Sequence, residues 1–542
     1  MSEKKLFVRP ASGLVREVST SKSLFFAIGA TVATETVWIT ALITYAPSFL
    51  VDGVNSVALG ALLCFVFFAG AFGPIFGYLS TALPRSGGEQ VFTSRITHPL
   101  LGFLETWTWV FGFFSFMAWA LVMTSTSLGS IFWIMSISGS GPWASYSNWL
   151  QGTTGELIVG TIIMAFVFFV SLQPSRRFHT INSILVVAGL LLTFIAIPFA
   201  LGINPSSFAT NFQAITGKSV QQVMQTATSN GFSVAPYDNS LLGPLLGFVL
   251  FEYAGLNVSG FIAGELKGNL FRNVLISVVG TCIVVLLIHS LYLQLFVNGV
   301  GYNLLSALSY LFTSVPAQSP MAPTAQALIA VSNPNLAGLM AFSGLAAVLL
   351  LISCMICIIV VLSRTAFAWA MDRIIPTRFS EINPRTKTPL YLTMLFAAIW
   401  YVTFLISLYG VNYIVGVYAY IMLCVLFFIM PGVNAVLLPY RRKDIYELLP
   451  LSLKKKFGIP LVAIFGIIWL AFIIPAYILF MVWPLITGVA GVTDVVTYAI
   501  SQGLVTFVVI LVVGAVIYFV SRWYNAKRGI DMGLLFKSVP PE

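Results

Sequence analysis

With 542 residues, 58% of them hydrophobic and only 8% charged, the chain has a mean hydropathy of +0.96. Soluble domains carry about 25% charged residues, so this composition excludes them and points to a polytopic membrane protein surrounded by lipid. The formal charge of +10 suggests a nucleic-acid partner only until the charges are placed, because they sit between apolar runs.

In chain order, a basic start with Lys4, Lys5, Arg9, Arg16 and Lys22 precedes the first apolar run, Leu24 to Pro47. That run is too long for a signal-peptide core and too many others follow it, so no cleaved signal is expected. Further apolar runs lie near 57–79, 100–123, 157–170, 184–201, 241–263, 274–297, 336–362, 390–408, 413–438, 460–482 and 504–520. A spanning helix needs about 20 apolar residues, which makes this an all-α polytopic membrane protein of about twelve transmembrane helices. The expected organisation is an N-terminal segment 1–23, one transmembrane domain 24–521 and a tail 522–542.

Lys and Arg collect in cytoplasmic loops. With the N-terminus inside, twelve spans place every Lys and Arg except Lys218 in inner segments. One missed span would invert every later loop and destroy this separation, so both termini are expected in the cytoplasm. The outer segments 136–154 and 298–326 have no Lys or Arg and read as interfacial turns and short helices, while 204–240 reads as an outer loop or lid. The five cysteines all fall in apolar runs, so no disulfide framework is expected. No metal or cofactor is expected either, and Cys354-x-x-Cys357 is taken as a decoy.

Two runs look built to break. In the first, Gly29 to Thr36 reads GATVATET, a stretch of weak helix formers in which Gly29, Thr31, Ala33 and Thr34 are small and Glu35 is a carboxylate inside a membrane segment. In the sixth, Phe251, Glu252, Gly255, Asn257, Ser259 and Gly260 bring glycine, amide, hydroxyl and acid into one span. Paired interrupted segments at corresponding positions of two halves point to a transporter with its site at the midplane. The runs 29–35 and 252–257 are therefore expected to be non-helical and to face one another.

Three signatures carry a family resemblance. They are ALPRSGGEQVFTSRITHPLLG (Ala82 to Gly102), GELKGNLFRNV (Gly264 to Val274) and SRTAFAWAMDRIIPTRFSEINPRTKTP (Ser363 to Pro389). In content, order and spacing they resemble the cytoplasm-side loops of the amino acid–polyamine–organocation (APC) permease superfamily, although the proline usual in the second is Leu270 here. The resemblance implies a leucine-transporter-type fold, with inverted repeats near 24–202 and 241–438 and two peripheral helices near 460–520. It also implies a secondary permease of amino acids or related organic amines in the plasma membrane, working by alternating access and coupled to a proton or sodium.

The resemblance further implies that helix 1 breaks where substrate carboxylates are held, although the family's Gly-Ser-Gly is matched here by Ala33-Thr34-Glu35. Phe251 aligns with the family's aromatic gate, and Asn257 replaces an acid often found in helix 6. Substrate contacts are thus expected from Gly29, Thr31, Ala33, Thr34, Glu35, Phe251, Glu252, Gly255 and Asn257. For Glu35, a charged ligand, a coupling acid and a hydrogen-bonded contact between helices all stay open. Ser343 and Ser353 are candidate coupling hydroxyls for sodium, or else contacts between helices. Glu252 stands between ligand and local contact, Glu105 is expected to be solvated or paired, and His289 to be a packed polar residue. A lysine that some relatives place in helix 5 is absent, with Gly189 near that position. Two other readings remain, a substrate sensor or accessory subunit with the same fold, and a redox or proton-pumping subunit, which the lack of a chain of intramembrane ionisable residues disfavours.

Overall fold

A computed structural model describes residues 16–32, 56–139, 141–232, 250, 252–383, 388–410, 420–450, 454–456, 458–482 and 494–537. In chain order its principal helices are α1 (Thr20–Thr31), α2 (Gly60–Ala82), α3 (Glu89–Ile96), α4 (Pro99–Ser138), α5 (Thr153–Ser171), α6 (Ser175–Ala200) and α7 (Val258–Phe261). They continue as α8 (Leu270–Val300), α9 (Pro334–Met371), α10 (Leu390–Tyr409), α11 (Tyr420–Arg441), α12 (Leu461–Val482), α13 (Ser501–Lys527) and α14 (Met532–Lys537). Ten of these are long and apolar enough to span a bilayer, and they coincide with the expected runs other than the first and sixth. The first and sixth runs lie in part outside the described residues and contribute α1 and α7. The protein is an all-α polytopic membrane protein. Among the described residues its only strands are the two-residue pair Lys455–Lys456 and Ile459–Pro460.

Apolar composition drives the helices into the bilayer, and small residues then decide which of them meet. Helix α4, with 40 residues, is about 60 Å long against a hydrocarbon core of about 30 Å, and it packs against α3, α5, α9, α10, α11 and α13. Helix α1 packs on α6, α8 and α9. A Cβ on Gly29 would collide with the Ser353 hydroxyl of α9 and lie 3.1 Å from Val186 of α6. The expectation that unwinding begins at Gly29 is corrected by this contact, since the helix runs through Thr31 and ends at Val32. Its small residues here serve close approach between helices. At the periphery, α13 exposes Val505, Val508, Val509, Val512, Val513 and Val516, an apolar face suited to lipid.

The loops sort by end. At one end Lys22 donates to the Arg176 carbonyl (3.3 Å), and Arg441 and Arg442 donate to the carbonyls of Thr97 and Arg95 (2.8 and 3.0 Å). There too Val18, ahead of α1, forms an isolated bridge with Leu266, with Lys267 N donating to the Val18 carbonyl. Lys218, the one basic residue expected outside, instead donates to the carbonyl of Gln318 (3.0 Å) in a second segment expected there.

Candidate functional site

After Glu252 the chain leaves helical geometry, turns through Tyr253 to Asn257 and resumes as the four-residue α7. Gly255 has φ +98, a region that costs an L-residue about 1–3 kcal/mol. Its Cα faces the end of α1: an added Cβ would stand 2.9 Å from the Ala30 carbonyl oxygen and 3.4 Å from Thr31 Oγ1. The turn at Gly255 therefore meets the end of α1. A helix end frees its last carbonyls; here Cys354 Sγ donates to the Ala30 oxygen (3.1 Å).

Several polar atoms at this junction are buried with no hydrogen-bond partner among the described residues. They are Thr31 Oγ1, Glu252 Oε1, Asn257 Oδ1, Ser259 Oγ and Ser80 Oγ. Ser80 belongs to the junction because it lies beside Gly260. Buried donors and acceptors are normally satisfied, so a cluster of unsatisfied ones beside a broken helix is a place where a polar ligand would find partners. Tyr253 anchors the turn by stacking on Phe68 (centroids 4.9 Å apart) and donating to the Ala61 carbonyl (3.3 Å). Glu252 lies within electrostatic reach of Cys64 on α2. Ala33, Thr34, Glu35 and Phe251 lie outside the described residues, as does the side chain of His289.

The candidate coupling serines do not lie together. Ser353 donates to Asn182 Oδ1 (2.8 Å), and Asn182 Nδ2 donates to the Phe25 carbonyl (3.2 Å), which ties α9, α6 and α1 into one knot. Ser343 donates to the Leu192 carbonyl (2.8 Å) and is ten residues away along α9, about 15 Å. The pairing of these two hydroxyls on one ion is corrected by that spacing. Ser353 alone adjoins α1.

A family model described as amino acid permease matches residues 18–513. The chain belongs to that family. No curated protein matches it. Membership supports a multi-pass membrane transporter of amino acids or related compounds, and the permease carries the family's loop signature on α3. There the loop before α3 is locked to the broken segment, with Gly87 N donating to the Phe261 carbonyl (2.9 Å) and Asn257 Nδ2 to Glu89 Oε1 (2.9 Å).

Sequence reasoning does not single out Glu89 or Asn182 as functional residues. An acid directly after Gly-Gly and between two spans is the available signal for Glu89. Nothing in the sequence marks Asn182, a single amide at the start of an apolar helix.

Proposed function

We propose that the protein is a secondary active permease of the plasma membrane that moves an amino acid or related organic amine by alternating access. In this reading the site lies between the end of α1 and the turn 252–257, and the two halves near 24–202 and 241–438 are inverted repeats. The observation that carries it is the meeting of α1 with Gly255 amid buried, unpartnered polar atoms. Such a junction supplies backbone and side-chain partners that a ligand would satisfy. Of the proposed substrate contacts, Thr31, Glu252, Gly255 and Asn257 lie among the described residues, and Ala33, Thr34, Glu35 and Phe251 lie outside them.

A thermal-shift panel of amino acids and amines on purified protein tests the site. A true substrate at 100 times its Kd stabilises the fold by about 2.7 kcal/mol. Asn257→Ala should weaken that shift, whereas an unchanged shift in this variant would place binding elsewhere. The same reading puts the end holding Arg85, Arg176, Arg378 and Arg442 in the cytoplasm and Lys218 outside. Single-cysteine labelling of intact cells should reach position 218 only. Labelling at position 378 from outside would refute that orientation.

A further inference from the structure

The loop from α2 to α3 closes on two glycines and an acid, Gly87, Gly88 and Glu89. Gly87 N donates to the Phe261 carbonyl of α7, and both glycines have positive φ, +109 and +51. A Cβ on Gly88 would strike the Phe261 ring at 2.6 Å, so the loop lies against α7 only because no side chain intervenes. That contact delivers the next residue, Glu89, to the start of α7. Its side chain is completely buried, and Oε1 accepts from Asn257 Nδ2 at 2.9 Å.

Helix α3 holds that carboxyl firmly in place. Thr106 of α4 donates to Gln90 Oε1 (3.1 Å), and Gln90 Nε2 donates to Asp372 at the end of α9 (3.1 Å). One turn on from Glu89, Thr93 donates to Glu105 of α4 and accepts from Asn434 of α11 (2.7 Å). Glu105, expected to be solvated or paired, is completely buried and bonded to Thr93. Asn257 belongs instead to the turn that meets α1, so its bond to Glu89 joins a fixed support to the broken segment.

An asparagine amide has two donors on its nitrogen and an acceptor on its oxygen. With Nδ2 turned to Glu89, the arm left over is Oδ1, which is buried and has no hydrogen-bond partner among the described residues. It can only accept. The other unpartnered atoms of this junction are the hydroxyls of Thr31, Ser80 and Ser259 and Glu252 Oε1, and none of them is an N–H. A ligand group that satisfies such a set brings several polar hydrogens of its own, which describes a protonated amine and not a carboxylate.

We propose that Glu89 is a positioning residue of the substrate site, which by holding Asn257 Nδ2 presents Asn257 Oδ1 to the ammonium group of the substrate. This rests on the transporter reading above and names the end of the substrate that the turn 252–257 receives. Glu89 itself touches no substrate. Its replacement by Gln keeps the size but gives Asn257 a partner that both donates and accepts, so the amide can present either arm and the preference for an amine is lost.

The test takes the amino acid giving the largest thermal shift in the panel, its decarboxylated amine and its deaminated acid, and measures their Kd values on purified protein. The parent should bind the amine at least about tenfold more tightly than the acid, a margin of 1.4 kcal/mol, and Glu89→Gln should abolish that margin. Damage to the fold alone would weaken amine and acid alike and leave their ratio unchanged. In exchange assays Glu89→Gln should raise KM for the amino acid and keep the maximal rate. Glu89→Gln combined with Asn257→Asp reverses the bond, with the new amide donating to one oxygen of the new carboxylate and the other oxygen left to accept. This swapped pair should restore the preference, and it carries the test where the single variant does not fold. A parent that binds the acid as tightly as the amine, a ratio unchanged in Glu89→Gln, or a preference that stays lost in the swapped pair overturns the proposal and leaves the transporter reading standing. If no amino acid of the panel stabilises the parent or is exchanged by it, both fall.

Discussion

Replacing Asp372 by Asn is expected to destabilise the protein by about 3–5 kcal/mol, the cost of leaving a buried charge without its partner. Asp372 follows α9 and receives both arms of Arg95, at 2.5 and 2.7 Å, together with Gln90 Nε2 at 3.1 Å. Both ionised side chains are almost fully buried. Arg95 also stands over the Phe536 ring of α14, with 5.1 Å to its centroid, and its carbonyl accepts from Arg442. The pair thus ties α3, α9, α11 and α14 together at one end of the bundle. Denaturation in detergent should show the loss. The double change Arg95→Met with Asp372→Leu should recover much of it, because an apolar pair of similar volume avoids the desolvation of two charges. Equal damage in the single and double variants would show that the ion pair itself is not what holds this junction.

Gly255→Ala is expected to disable exchange. Two effects act at once: the left-handed φ of +98 penalises any side chain, and the new methyl would press on the Ala30 carbonyl from 2.9 Å. Strain of about 1–3 kcal/mol must be relieved by moving either the turn or the end of α1, and both are site walls in the proposed mechanism. Exchange should fall at least about tenfold, the equivalent of 1.4 kcal/mol. Gly255→Leu should abolish it while folded protein is still recovered. Gly217→Ala, in the loop that follows Thr216, with open space around it and φ +70, should carry similar backbone strain without the loss of exchange. Full exchange in Gly255→Ala would detach this turn from the transport path.

The ten long helices were legible because a membrane span leaves its mark in length and hydropathy, and loop charge added a check that depends on span parity. The break at Gly255 was legible too, since glycine, asparagine and acid within one apolar run are costly in lipid unless they face a polar site. The role of Gly29 was not. A glycine that unwinds a helix and one that lets Ser353 approach look the same in sequence. The Asp372–Arg95 pair could not be read in advance, because it joins residues 277 apart. Charged residues near the ends of apolar runs ordinarily suggest solvation, and only packing shows that these are closed off from water.

In the proposed mechanism, substrate passes through the junction of α1 with the turn 252–257. Counterflow in proteoliposomes decides this, with liposomes loaded with an unlabelled amino acid identified by thermal shift and then supplied with trace label outside. A transient accumulation of label above equilibrium is expected, dependent on the internal amino acid and lost in Gly255→Leu. A protein that is stabilised by the amino acid and yet shows no overshoot, or one whose overshoot survives Gly255→Leu unchanged, would contradict it.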